Sequence, residues 1–312
     1  MTEASPTILS APRTLPAKPA RSRLGDRAFG LLLTSPLLVI MAGIIAYPLA
    51  YAVMASFQNF RLTSRPGTIR FIGLDNYLWA LGDPQFWIAL RNTLLYAGIA
   101  VPAELALGLL IALALRNLTR GAGIARTILI MPMMLAPIAM GLMWKFMFND
   151  QLGIINHLLK TSGLSDGVLW LSQPVTAFVS LLIVEIWATT PIMVILLSAG
   201  LTTIPQELYD AAKIDGAGRW QRFLNVTWPL LQPVVLVALL LRGMDAFRVF
   251  DIVYILTQGG PANSTDVLSY YAYRLNFESM DVGRASAVSV MMLAALAAAG
   301  LILINRMRKP VR

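Results

Sequence analysis

The chain contains no cysteine and a single histidine, His157. Without thiols it forms neither disulfides nor thiolate metal sites, and one isolated loop histidine reads as a surface residue rather than a ligand or base. Charge is also scarce: Asp, Glu, Lys and Arg make up 13% of the 312 residues, whereas 57% are hydrophobic. A soluble domain needs more polar residues than that to cover its surface. There is no Gly-x-x-x-x-Gly-Lys-Ser/Thr phosphate loop, no His-Glu-x-x-His pair and no nucleophile elbow. Nothing in the chain therefore marks it as a nucleotide hydrolase, a zinc hydrolase or a serine-type enzyme.

What the chain does have is long uncharged runs. Residues 28–55 carry no charge, and residues 285–304 are similar; roughly 20 apolar residues suffice to cross the hydrocarbon core as a helix. The pattern predicts an all-α integral membrane protein with six spans, at approximately 29–56, 86–115, 124–148, 175–199, 229–255 and 285–305. Residues 1–28, rich in Pro, Ala, Ser and Arg, are expected to be a disordered basic cytoplasmic tail preceding a membrane domain over 29–312. The first apolar run is about twice the length of a signal-peptide core, so a retained span is expected. Segments 1–28, 116–126, 199–228 and 306–312 hold 5, 3, 3 and 4 Lys or Arg residues, more in total than the alternating segments. Basic residues collect in loops that stay in the cytoplasm, which puts both termini and the 199–228 loop inside. The net charge of +9 follows from the same rule. Its residues cluster at span ends rather than along one face, and no nucleic-acid module is present.

Between the spans, Phe71 to Phe86 mixes aromatics with polar residues and breakers, as short helices at the outer interface do. Gly259-Gly260-Pro261 marks a turn after the fifth span. Pro132 and Pro137, with Gly141 nearby, predict a kink in the third span. No internal repeat is visible.

Charges inside apolar runs are costly, roughly 2.5–3.5 kcal/mol each at mid-bilayer, so they face protein, water or a partner charge. Arg91, Glu104, Lys145, Glu185, Arg242, Asp245 and Arg248 are such residues. Arg91 and Lys145 lie close enough to span ends to snorkel. Arg242, Asp245 and Arg248 share one broad helix face and can pair along it. Two readings stand side by side: a structural ion pair against a neighbouring helix, or the polar lining of a cavity built from Glu185, Arg242 and Asp245. Trp187 is either packing or a stacking surface.

The 199–228 loop is the most specific feature. Pro205 followed by Glu207 suits a helix start; Asp210-Ala211-Ala212-Lys213-Ile214-Asp215 continues it, Gly216 breaks it, and Arg219-Trp220-Gln221-Arg222-Phe223 begins a second, amphipathic helix. Asp210-Ala211-Ala212, Gly216 and Val226-Thr227-Trp228-Pro229 resemble the EAA loop of binding-protein-dependent ABC importer permeases. The spacing is unchanged, with Asp, Val and Trp replacing Glu, Ile and Leu. Phe71–Tyr77, Asn92-Thr93-Leu94, Trp144-Lys145, Phe148-Asn149 and Phe250-Asp251 through Gly259-Gly260-Pro261 extend the resemblance to carbohydrate-uptake permeases of the maltose and trehalose type.

That resemblance implies a type I importer permease fold in the inner membrane. Glu207, Asp210, Ala211, Ala212, Asp215 and Gly216 would contact an ATPase, and Glu185, Ala188, Thr189, Ile192, Arg242, Asp245 and Ala246 would line a sugar site. It implies a heterodimer with a second, homologous permease, two ATP-binding subunits and an extracytoplasmic sugar-binding protein. This chain would bind no cofactor itself, ATP and Mg residing on the partner subunits. Arg242 would be free to pair with an acidic substrate group. The competing expectations are an ion-coupled secondary carrier protonated at Glu185 and Asp245, which leaves the long cytoplasmic loop unexplained, and a receptor or assembly factor without transport.

Overall fold

A computed structural model describes residues 23–307 apart from Pro66 and Thr119. The predicted tail lies mostly outside them, over residues 1–22. Helix nevertheless begins at Arg23, inside the segment expected to be disordered. The last proline of the tail is Pro19, and beyond it a helix nucleated in the apolar run can propagate outward. The chain divides into two units, one ending at Tyr51 and the other starting at Ala52. The first unit is helix Arg23–Met41 continued by a π-helical turn, Ala42–Ala46.

The larger unit is built on the pair Pro84–Arg116 and Pro174–Thr202. Each opens on proline, whose missing N–H is no loss in the first turn. Asp83 caps the first of them by accepting from the Gln85 amide at 3.0 Å. The two helices approach closely where a Cβ on Gly108 would lie 2.6 Å from the Met193 Cβ. Helix Trp228–Phe247 packs against both. Leu231 and Val235 join Ala112, Leu197 and Leu201 in one buried cluster, and Ala238 and Ala246 join Val101 and Met193 in another.

Two expected spans are not single helices. The third is broken into Ala122–Met134 and Pro137–Met147, bent by 95°. Pro132 and Pro137 flank the break, and each removes a backbone donor and crowds the preceding turn. The fifth begins earlier than expected, since Arg219–Arg222 runs through a π-helical turn, Phe223–Thr227, directly into Trp228–Phe247. It then stops, and the short helix Asp251–Leu256 resumes after Phe250 leaves helical geometry. Counting the bent pair as one span gives, among the described residues, six segments long and apolar enough to cross a membrane. The outer segments carry helix Asp75–Gly82 and helix Leu268–Tyr273, the latter reached through the left-handed residues Gln258 and Gly259.

Candidate functional site

Three helices converge on one guanidinium. Arg242, 2% exposed, donates from Nε to Glu104 Oε2 at 2.9 Å and from Nη2 to Glu104 Oε1 at 3.2 Å. The same Nη2 reaches Glu185 Oε1 at 2.7 Å, and Nη1 reaches Asp245 Oδ2 at 2.6 Å. Glu104 and Glu185 are buried, while the Asp245 carboxylate is open to its surroundings and also accepts from Arg248 at 3.3 Å. Arginine's planar fork makes this possible, offering five donors in fixed geometry.

Where an acidic substrate group was expected beside Arg242, the structure shows three protein carboxylates on its guanidinium. Four of the five donors are directed to three protein carboxylates, and breaking those bonds in a buried setting leaves charges unpaired. The structural ion pair is what the fold contains, and it is larger than Arg242 with Asp245. Glu104 completes it from the second span. The sequence flagged Glu104 only as a costly charge; the signal that assigns it is one arginine facing one acid on each of two other helices.

The remaining residues expected to line a sugar site separate. Glu185, Arg242 and Asp245 come together. Ala188 and Ala246 are buried in apolar clusters. Thr189 and Ile192 are half-buried, and the Thr189 hydroxyl donates to the Glu185 carbonyl at 2.7 Å. Trp187 is partly exposed and meets Trp144 edge to face at 5.4 Å. Of the set, Asp245 is the acid that remains accessible.

In the cytoplasmic loop, helix Gln206–Ile214 has two faces. Tyr209 is its one buried residue: its hydroxyl hydrogen-bonds Thr227 at 3.0 Å, and its ring carries the Arg116 guanidinium at 4.2 Å. Glu207, Asp210, Ala211 and Asp215 are exposed and Ala212 is half-buried, while Ile214 is 87% exposed. Lys213 donates to Asp210 at 2.9 Å, which holds the Asp210 carboxyl below the usual carboxylate range. The helix ends where Gly216 takes φ +77°, with the Ala217 amide bonding the Ala212 carbonyl at 2.9 Å, a left-handed closure suited to glycine. A polar anchor thus leaves an apolar and acidic face uncovered on the cytoplasmic side.

Residues 104–309 match the family model described as binding-protein-dependent transport system inner membrane component. The trehalose/maltose transport system permease protein MalF of Thermococcus litoralis is 39% identical over 85% of this chain and 89% of its own. The sulfoquinovosyl glycerol transport system permease protein SmoG of Agrobacterium fabrum is 39% identical over 87% of each. The trehalose transport system permease protein SugA of Mycobacterium tuberculosis is 35% identical over 91% and 90%. The fold matches a chain of a bacterial ABC transporter involved in the import of the acidic polysaccharide alginate, with a TM-score of 0.80, 23% identity, and coverage of 93% of this chain and 100% of that one.

Proposed function

Since the chain belongs to the family of binding-protein-dependent transport system inner membrane components, we propose that it is the permease subunit of an ATP-driven importer for a sugar or sugar derivative. The observation that carries this reading is the two-faced helix Gln206–Ile214, tied to the membrane body through Tyr209 and uncovered on its other side. Such a helix transmits a push. Glu207, Asp210, Ala211, Ala212, Asp215 and Gly216 form the part that docks on an ATPase subunit, and ATP and Mg belong to that subunit.

Support for the cargo comes from the relatives, which are named for trehalose, maltose and sulfoquinovosyl glycerol. Support for an extracytoplasmic binding protein comes from an alginate transporter of the same fold described in complex with a ligand-bound periplasmic protein. Together with a second permease, the chain forms half of a pathway that opens alternately to either side. The Arg242 centre ties helices Pro84–Arg116, Pro174–Thr202 and Trp228–Phe247 together, so a movement imposed at the loop travels through one rigid group. Asp245 faces the pathway and accepts hydrogen bonds from sugar hydroxyls, which must replace water lost on entry.

The test is labelled-sugar uptake across a panel in cells with and without the gene, joined to purification of the tagged chain. The expected result is gene-dependent, vanadate-sensitive uptake of at least one sugar and an ATP-binding protein that travels with the chain. Uptake abolished only by an uncoupler, with no ATPase in the preparation, overturns it.

A further inference from the structure

On the membrane side of the loop helix, a cavity of about 730 Å³ is lined by four cations: Arg116 from the end of the second span, Lys213, Arg219 and Arg222. Gln206, Tyr209 and Lys213 line it from the loop helix, one stripe at helical spacing; Glu207 and Ala211 lie on other faces, and Asp210 borders the stripe, held by Lys213 and Gln206. Among the described residues only Lys213 of the four has a carboxylate partner, Asp210. Arg116 lies over the Tyr209 ring and makes one long hydrogen bond, 3.4 Å to Gln206 Oε1. The Arg222 Nε is buried and has no hydrogen-bond acceptor.

Like charges gathered around one cavity repel, and a buried guanidinium N–H without an acceptor is costly. Both conditions are relieved by an anion with several acceptor oxygens, and arginine forks fit a phosphate in geometry as well as in charge. We propose that this cavity binds a phosphate-bearing anion, held by Arg116, Arg219 and Arg222.

A lipid headgroup and a free phosphate share that chemistry. The surroundings favour the headgroup of an anionic phospholipid. Trp220 is 69% exposed next to the two loop arginines and stacks on Phe223 at 5.5 Å, and tryptophan prefers the membrane–water boundary. Leu224 and Leu230 are further exposed apolar residues of the same helical run, which acyl chains can cover. Basic cavities between helices on the cytoplasmic side are suited to such headgroups.

The experiment uses the whole transporter, purified in a neutral detergent and titrated separately with phosphatidylglycerol, phosphatidylcholine and inorganic phosphate. Thermal unfolding midpoint and bound-lipid count by native mass spectrometry are the readouts. Phosphatidylglycerol is expected to raise the midpoint and remain bound, phosphatidylcholine to do neither, and Arg219→Gln/Arg222→Gln to lose at least half of the shift. A shift of equal size with inorganic phosphate, and equally lost in the variant, assigns the cavity to a soluble anion instead of a headgroup. Should the double variant fail to assemble, Arg222→Gln alone carries the same comparison. An identical phosphatidylglycerol shift in wild type and variant, or no anion-dependent shift at all, overturns the proposal. So does a variant whose sole change is loss of the ATPase, because the cations then serve a partner's carboxylates.

Discussion

Removing the Arg242 side chain would leave Glu104 and Glu185 buried without a counter-charge. Breaking a buried ion pair from one side costs about 3–5 kcal/mol, so Arg242→Met is expected to lower the unfolding midpoint in detergent sharply and to reduce the yield of assembled complex. Asp245 sits on the same guanidinium but is accessible, and its loss leaves Arg242 with two acids. Asp245→Asn is therefore expected to assemble normally and transport poorly, measured as uptake per assembled complex. An Asp245→Asn protein that fails to assemble would return this residue to a purely structural role. From the sequence, the spacing of Arg242, Asp245 and Arg248 along one helix was readable, because helix geometry depends on local order alone. Glu104 lies 138 positions away from Arg242, and only the packing of its helix identifies it as the main partner.

At the level of elements, close packing and buried polar ties hold the spans. Gly108 admits the backbone of the fourth span, and any Cβ there would collide with the Met193 Cβ and approach its carbonyl carbon to 3.3 Å. Overpacking of this kind costs roughly 1–3 kcal/mol or more; Gly108→Val is expected to separate the two helices, read as a lower midpoint and faster proteolysis. On the outer side, Asp266 is buried, accepts from Gln85 Nε2 at 2.6 Å and pairs with Arg274, and the Asn92 amide bonds its carbonyl at 2.9 Å. Burial, opposed by Arg274 and Gln85 and reinforced by the charge of Glu278, pushes the Asp266 carboxyl up to about 6. A carboxyl raised in the fold above its free value near 3.9 contributes stability that is fully present below that value and is lost as pH rises through about 6. The full difference, at about 1.36 kcal/mol per pKa unit, is on the order of 3 kcal/mol. Amide exchange in the segment around residues 259–275 is therefore expected to be slower at pH 5 than at pH 7.5, after correction for intrinsic rates. Asp266→Asn should flatten that difference. Neither Gly108 nor Asp266 stood out in the sequence, since glycine in an apolar run and aspartate after a turn each have many uses.

For the whole molecule, the proposed function puts the decisive contact between the loop helix and an ATPase partner. Gly216 has φ +77° and open space around the position of a Cβ, so a larger residue meets nothing within this chain and pays only the strain of a left-handed backbone, roughly 1–3 kcal/mol. Gly216→Val is expected to insert and fold, yet to hydrolyse ATP without matching uptake when reconstituted with its partners, measured as the ratio of the two rates. Normal coupling in that variant would remove Gly216 from the docking surface. This surface was the most legible part of the chain, because a charged, glycine-broken helix between two apolar runs contrasts with everything around it.

Sequence alone determined the membrane class, the order and number of apolar spans and the position of the charged loop helix, and it set the expected orientation. Each follows from local composition, because the cost of burying charge in hydrocarbon and the preference of Lys and Arg for the cytoplasmic side act on short stretches of chain. Tertiary structure decided where the third span bends, that the fifth stops and resumes, and that Arg242 is enclosed by Glu104, Glu185 and Asp245. Those outcomes depend on which helix faces meet, and the energy of an ion pair or a close glycine contact exists only once residues distant in the chain have been brought within a few ångströms.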